Sequence, residues 1–174
     1  EQVEHALRES RAMLNAILQE SPIPQFVIDK NHKVVYWNQA LSVYSEIPSS
    51  EVVGTNEHWR AFYPKSRPCI ADLILDGRTD DLSLWYEGNA KQSTLVKDAW
   101  SSIGFFPHLG DHGIWLYFTG ALLRDSNGDI WGALETLEDV TEQKMNEEGL
   151  REANKKLIFS PRRPAMISSI PSPS

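Results

Sequence analysis

A carboxylate at Glu135 sits in a strand-like run between Ala133 and Leu137, and three further acids, Glu138, Asp139 and Glu142, follow it closely. Paired carboxylates serve general acid–base chemistry when their surroundings push their pKa values apart. The last three run along a strand edge and into a helix, where solvation accounts for them; Glu135 alone asks for more. His108 and His112 have the spacing of a metal-binding helix, but Gly110 and Gly113 place them in a loop, and turn residues are the better explanation. Ser101-Ser102 has no triad context or nucleophile-elbow glycines. The chain contains no G-x-x-x-x-G-K-[ST] and no H-E-x-x-H. Neither an enzyme nor a metal site is expected.

The chain has 174 residues, 41% of them hydrophobic, which suits one domain with a proper core plus extensions. A formal net charge of −7 argues against nucleic acid, whose phosphates call for clustered Lys and Arg. The single cysteine excludes an internal disulfide framework and a multi-cysteine zinc site, and fits a reducing, cytoplasmic setting. No apolar run approaches the roughly 18 residues of a spanning helix, and the polar N-terminus carries no secretory pattern. The chain begins without Met, as an excised fragment does.

These residues must be positioned by a helix, a mixed domain, a second helix and a tail. Residues 1–20 form an amphipathic helix with Val3, Leu7, Leu14 and Ile17 in a coiled-coil seam. A helix so short is marginal alone, so it is expected to pack on a sheet or pair with another copy. Ser21-Pro22-Ile23-Pro24 stops it. Gln25–Ile28 and Lys33–Trp37 read as a hairpin around Asp29-Lys30-Asn31-His32, and Asn38 can cap a helix over 39–45. Short helical stretches follow from Ser49 to Gly77, with Ile70, Leu73 and Ile74 on one buried face. Strands are expected over 94–106 and 114–123, and a last one after a two-residue Asn127-Gly128 turn. That strand runs through Asp139-Val140-Thr141 straight into a charged helix over 141–158, where Asp139 or Thr141 can cap and Leu150, Ala153 and Leu157 keep coiled-coil spacing. Residues 159–174, rich in Ser and Pro, are either a disordered natural tail or appended sequence; if natural, any output acts in trans.

This order resembles a PAS domain with its PAC half, the sensory module of bacterial signalling proteins. The resemblance rests on Phe26-Val27-Ile28-Asp29, Val34-Val35-Tyr36-Trp37-Asn38-Gln39-Ala40, Glu51-Val52-Val53-Gly54, Leu123 to Gly132 and the Asp139-Val140-Thr141 terminus, and it covers about residues 15–145. It implies an α+β fold, a five-stranded antiparallel sheet with short helices over one face and a pocket between them, the PAS domain occupying 21–140.

By that analogy Leu116, Phe118, Gly120 and Leu122 face the pocket, while Trp115, Tyr117 and Thr119 face outward. Ala133, Glu135 and Leu137 then point inward, and Ile28, Trp59, Cys69 and Leu73 complete the implied ligand-binding set. An inward Glu135 needs a polar ligand, a water or a basic partner. A register slipped by one residue would expose it instead. Trp115, Tyr117 and Trp131 make an outer patch suited to the N-terminal helix or a second subunit. The flavin-binding branch of the family needs an Asn-Cys-Arg-Phe-type helix and inner Asn and Gln; Arg67-Pro68-Cys69-Ile70 and Leu116, Phe118 and Leu137 stand there instead, which argues against flavin. A histidine beside Trp59 is more often a packing or surface residue, which argues against b-type haem at His58. No C-x-x-C-H run exists.

The expected function is a non-enzymatic sensory domain that binds a small ligand, dimerises through its flanking helices and signals through Asp139, Val140 and Thr141 to an effector on the same polypeptide. The resemblance implies a histidine kinase or a diguanylate cyclase as that effector. Two alternatives stand beside it: a ligandless dimerisation module whose pocket is filled by Leu116, Phe118 and the middle-helix Ile and Leu, and a small α+β hydrolase using Glu135 with His58 or His108.

Overall fold

The computed structural model describes residues 1–159 and divides into two compact units, Glu1–Thr141 and the segment from Glu142 onward. In chain order the first unit holds α1 (Gln2–Gln19), β1 (Gln25–Asp29), β2 (Val34–Trp37), α2 (Gln39–Ser45), α3 (Ser49–Val52), α4 (Ile70–Leu75), α5 (Leu82–Trp85), β3 (Lys91–Gln92), β4 (Ala99–Phe106), β5 (Ile114–Arg124) and β6 (Ile130–Asp139). Two 3-10 turns, His58–Ala61 and Thr79–Asp81, lie among the helices. The helix α6 spans Thr141–Phe159. Phe159 thus closes a helix, and the rest of the tail expected over 159–174 lies outside the described residues.

The sheet is antiparallel with strand order β2-β1-β6-β5-β4-β3. It has six strands where five were expected, because the exposed pair Lys91 and Gln92 adds a short edge opposite Ser101 and Trp100. The strand expected to begin at residue 94 begins at Ala99 instead. Ser93 to Asp98 form a turn in which the Ser93 hydroxyl accepts from the N–H groups of Leu95 and Val96, both at 3.1 Å. The turn before β6 is also longer than expected. Asp125 Oδ1 accepts from Asn127 and Asp129 N–H, and of Asn127 and Gly128 only the glycine has positive φ. A two-residue turn with both positions left-handed is therefore not formed.

Alternation sorts the two sheet faces. Leu116, Phe118, Ala133, Glu135 and Leu137 are buried, while Tyr117 and Trp131 are exposed on the other face. The inner face meets a core of Phe26, Ile28, Trp37, Leu41, Ile70, Leu73 and Leu82, all essentially inaccessible. Asn38 fastens the first hairpin to α2. Its Oδ1 accepts from the N–H of Leu41, the third residue of α2, and from Gln25 N–H, both at 3.0 Å, and its Nδ2 donates to Ile23 O at 2.8 Å.

Two glycines let layers close up. A Cβ on Gly120 would fall on the Ile70 side chain, so α4 lies directly on β5. A Cβ on Gly132 would fall on the Ile28 carbonyl oxygen, backbone that has no flexible end to yield. Gly132→Ala is therefore expected to destabilise the fold by about 2 kcal/mol or more, read by chemical denaturation; an unchanged midpoint would refute this packing.

No residue of α1 is buried, and Val3, Leu7, Met13, Leu14 and Ile17 all stand more than half exposed. The helix therefore does not seat itself on the outer sheet patch, one of the two expectations for it. In the second unit α6 likewise buries none of its residues.

Candidate functional site

Between the middle helices and β4–β5 lies a cavity of about 200 Å³, whose walls include Tyr63, Arg67, Trp85, Tyr86, Phe106 and Phe118, with exposed Glu87 and Asn89 at its rim. Among the described residues that line it, which also include His108, Arg67 is the one arginine or lysine. The guanidinium carbon stands 3.9 Å from the centroid of the Tyr63 ring, 4.8 Å from that of Trp85 and 5.1 Å from that of Tyr86. Such stacking holds a guanidinium flat against aromatic faces. Its hydrogen bonds, to Pro68 O at 3.3 Å and Trp85 O at 3.4 Å, are long. Burial pushes the Tyr63 and Tyr86 hydroxyls above the ordinary range; the two lie against each other, and the Tyr86 oxygen is buried without a well-formed hydrogen bond.

A second cavity, about 300 Å³, is lined by His32, His58, Trp59, Asp72 and Asp76 among others. Asp72 is its hub. Its Oδ1 meets His32 Nδ1 at 2.6 Å, and its Oδ2 meets His58 Nε2 at 2.8 Å and accepts from Cys69 N–H at 2.8 Å. His32 reaches Asp76 with its other nitrogen at 2.7 Å. A left-handed backbone at φ 62 in the hairpin turn places His32 there. Burial works against the charged imidazolium of His32, but the hydrogen bonds and charges of Asp72 and Asp76 outweigh it and raise its pKa above 6.5. Burial likewise works against the Asp72 carboxylate, yet His58, His32 and the Cys69 N–H hold it below 3.8. His58 Nδ1 is buried with no hydrogen-bond partner among the described residues. His58, Cys69 and Asp72 also offer ligand atoms within 4.8 Å of one another, although each Asp72 oxygen already accepts a hydrogen bond.

Glu135 is buried at 4% exposure, and its Oε2 accepts from Ala71 N–H at 3.0 Å. That N–H belongs to the first turn of α4, whose donors have no intrahelical partner. Burial, abetted by the Asp72 charge and opposed by the Ala71 N–H and Arg67, pushes the Glu135 pKa up to about 8. The group is therefore a neutral acid at pH 7. Burial also pushes the Cys69 thiol well up, away from a reactive thiolate.

At the exit of the sheet, Asp139 Oδ1 accepts from Thr141 N–H at 3.0 Å and from the Thr141 hydroxyl at 2.6 Å. The Thr141 oxygen in turn accepts from Trp115 N–H at 2.9 Å, and Val140 N–H donates to Trp115 O at 2.9 Å. The end of β6 and the start of β5 together grip the first residue of α6.

Of the residues expected at a ligand site, Phe118 lines the Arg67 cavity and Trp59 the His32 cavity. Ile28, Cys69, Leu73, Leu116, Glu135 and Leu137 are buried in the core and line neither. Nothing joins Glu135 to the histidines proposed as its partners, since His58 bonds Asp72 and His108 Nε2 bonds Phe62 O at 2.8 Å. Sequence reasoning missed Arg67, Tyr63, Trp85 and Tyr86, and also His32, Asp72 and Asp76. One signal was available: Asp72 interrupts the apolar run Ile70-Ala71-Asp72-Leu73-Ile74, and a buried acid demands partners.

Comparison with known proteins bears on this geometry. The PAS fold family model matches residues 12–77. The PAS domain of Bordetella pertussis BvgS is similar, with a TM-score of 0.52 at 14% identity over 84% of this chain and 98% of that one. An RNA-binding light-oxygen-voltage receptor gives a TM-score of 0.56 at 16% identity over 83% of this chain, which spans 37% of the receptor's length. At these identities the likeness speaks to the fold alone. No curated protein matches the sequence, and no helix among the described residues is long and apolar enough to cross a membrane. The family match over residues 12–77, together with the sheet and helix order around them, gives this chain the PAS fold.

Proposed function

We propose that this PAS domain is a cytoplasmic sensor that holds a small molecule in the cavity beside Arg67, pairs with a second copy through α1 and α6, and regulates an effector on the same polypeptide. A histidine kinase or a diguanylate cyclase is the effector class proposed. The observation that carries the reading is the grip on Thr141. Its hydrogen bonds connect the β5 strand, which lines the cavity through Phe118, to the first residue of α6. A shift of β5 is then felt at the start of the outgoing helix without crossing a flexible linker. Pairing is supported by the exposed seams Val3, Leu7, Leu14, Ile17 and Leu150, Leu157.

Two measurements test this. Asp139→Ala, in the protein that carries the effector, is expected to leave the fold intact at a cost of about 1 kcal/mol while kinase or cyclase output stops following the signal; a normal response would remove the junction from the route. Leu7→Glu with Leu14→Glu is expected to turn a dimer into a monomer by sedimentation, and a tight dimer in that variant would rule out α1 as the seam. The second reading, a ligandless dimerisation module, draws on the nearly complete burial of Leu116 and Phe118, at 1% and 4% exposure. Native mass spectrometry of the freshly purified protein separates the two.

A further inference from the structure

We propose that the cavity beside Arg67 takes a small organic carboxylate, with its acid head on the guanidinium edge and an apolar or aromatic body against Phe106, Phe118 and Tyr86. The proposal rests on the reading of this domain as a ligand sensor and names the chemical class of the ligand.

The first ground is the state of Arg67. Arg60, Arg78, Arg124 and Arg151 each have a carboxylate within ion-pair distance. Half-buried Arg67 forms no such pair among the described residues; it rests on three aromatic rings and two long bonds to backbone carbonyls. A guanidinium carries five donors in a planar fork that matches a carboxylate. Stacking occupies its faces and leaves its edge for in-plane acceptors.

The second ground is charge. Among the described residues the buried carboxyl whose titration feels Arg67 is Glu135, and burial favours its neutral form at pH 7. Arg67 therefore brings an uncompensated positive charge to the cavity, while Glu87, the acid on the rim, is exposed to screening water. A cationic ligand is disfavoured twice over: it meets a like charge, and the faces of Tyr63, Trp85 and Tyr86 that would hold it are already covered by Arg67.

The third ground is size and lining. A volume of about 200 Å³ corresponds to roughly six waters at about 30 Å³ each, room for one ring or a short chain with its head group. Tyr86, its hydroxyl set against that of Tyr63, gives the cavity an aromatic wall.

The test compares acids with their own amides. Benzoate, phenylacetate and hexanoate, and the three corresponding amides, are titrated into the whole chain at matched ionic strength while thermal unfolding is followed. At least one acid is expected to raise the melting temperature by a few degrees while its amide does not. Arg67→Gln is expected to weaken that acid roughly ten- to hundredfold, and Arg67→Lys, which keeps the charge and loses the fork, by less. Should Arg67→Gln fail to fold, the acid–amide comparison on the parent chain and the Arg67→Lys titration decide alone. Amides that bind as well as their acids would overturn the carboxylate class and leave the ligand-sensing reading standing. If no compound of either series shifts unfolding and native mass spectrometry finds nothing retained from the cell, both fall together.

Discussion

Glu135→Gln is expected to flatten the dependence of stability on pH between about 5 and 8 and to unfold later than the parent chain at pH 8. In the fold this carboxyl titrates at about 8, against 4.5 for an ordinary glutamate. A raised folded pKa means that the stability belonging to the protonated form is fully present below the unfolded value and is lost as pH rises through the folded one. The window is therefore pH 4.5 to about 8, and the loss across it is on the order of 4 kcal/mol. Glutamine keeps the shape and the oxygen that accepts from Ala71 N–H, and it has no proton to lose. Urea denaturation of both proteins at pH 5 and pH 8 reads the effect directly. Parallel losses in parent and variant would mean that Glu135 is ionised in the fold and that its burial is compensated in some other way.

Asp72→Ala carries the second large effect. It leaves His32, His58 and the Cys69 N–H without the carboxylate that all three use. Stranding buried polar groups in this way costs on the order of 3 kcal/mol. Asp72→Asn retains one acceptor and is expected to lose less. The pH dependence has two flanks of opposite sign. Asp72, held below 3.8, contributes stability above that value, lost as pH falls through its lower folded pKa. His32, raised above 6.5, contributes below that value, and this is lost as pH rises through its higher folded pKa. Asp72→Ala should remove the acid flank and shrink the His32 flank, which Asp76 still supports in part. A loss below about 1 kcal/mol, with both flanks intact, would show that the cluster is solvated rather than structural.

Periodicity and punctuation carried most of the fold. Pro22 and Pro24 ended α1, Asn38 announced α2, and alternation put Glu135 on the same face as Leu137, because these signals act over neighbouring residues and the backbone obeys them locally. The register of turns was less legible. Asp125 recruits two N–H groups and lengthens its turn, and Ser93 does the same before β4; a side chain of this kind competes with the ladder in ways that a count of apolar residues does not register. The clusters around Arg67 and Asp72 were less legible still. His32 and Asp72 are forty residues apart, and Arg67 and Trp85 eighteen. They meet only because the hairpin turn and the middle helices fold over the same face of the sheet. Nothing local in the sequence marks Tyr63 and Tyr86 as the aromatic faces on which Arg67 rests.

The hydrogen bonds at Thr141 also fix where this module can be cut or spliced. Trp115 spends its N–H on the Thr141 hydroxyl and its carbonyl on the Val140 N–H, so a chain severed at Asp139, where the last strand ends, would leave both groups of Trp115 open to water and fray the beginning of β5. The natural seam falls one residue beyond Val140, inside the first turn of a helix. A chimera that swaps output modules must therefore inherit Asp139 and Thr141 with the sensor and take its foreign sequence from Glu142 onward. A junction drawn at the end of the strand would join two intact parts through a broken hinge.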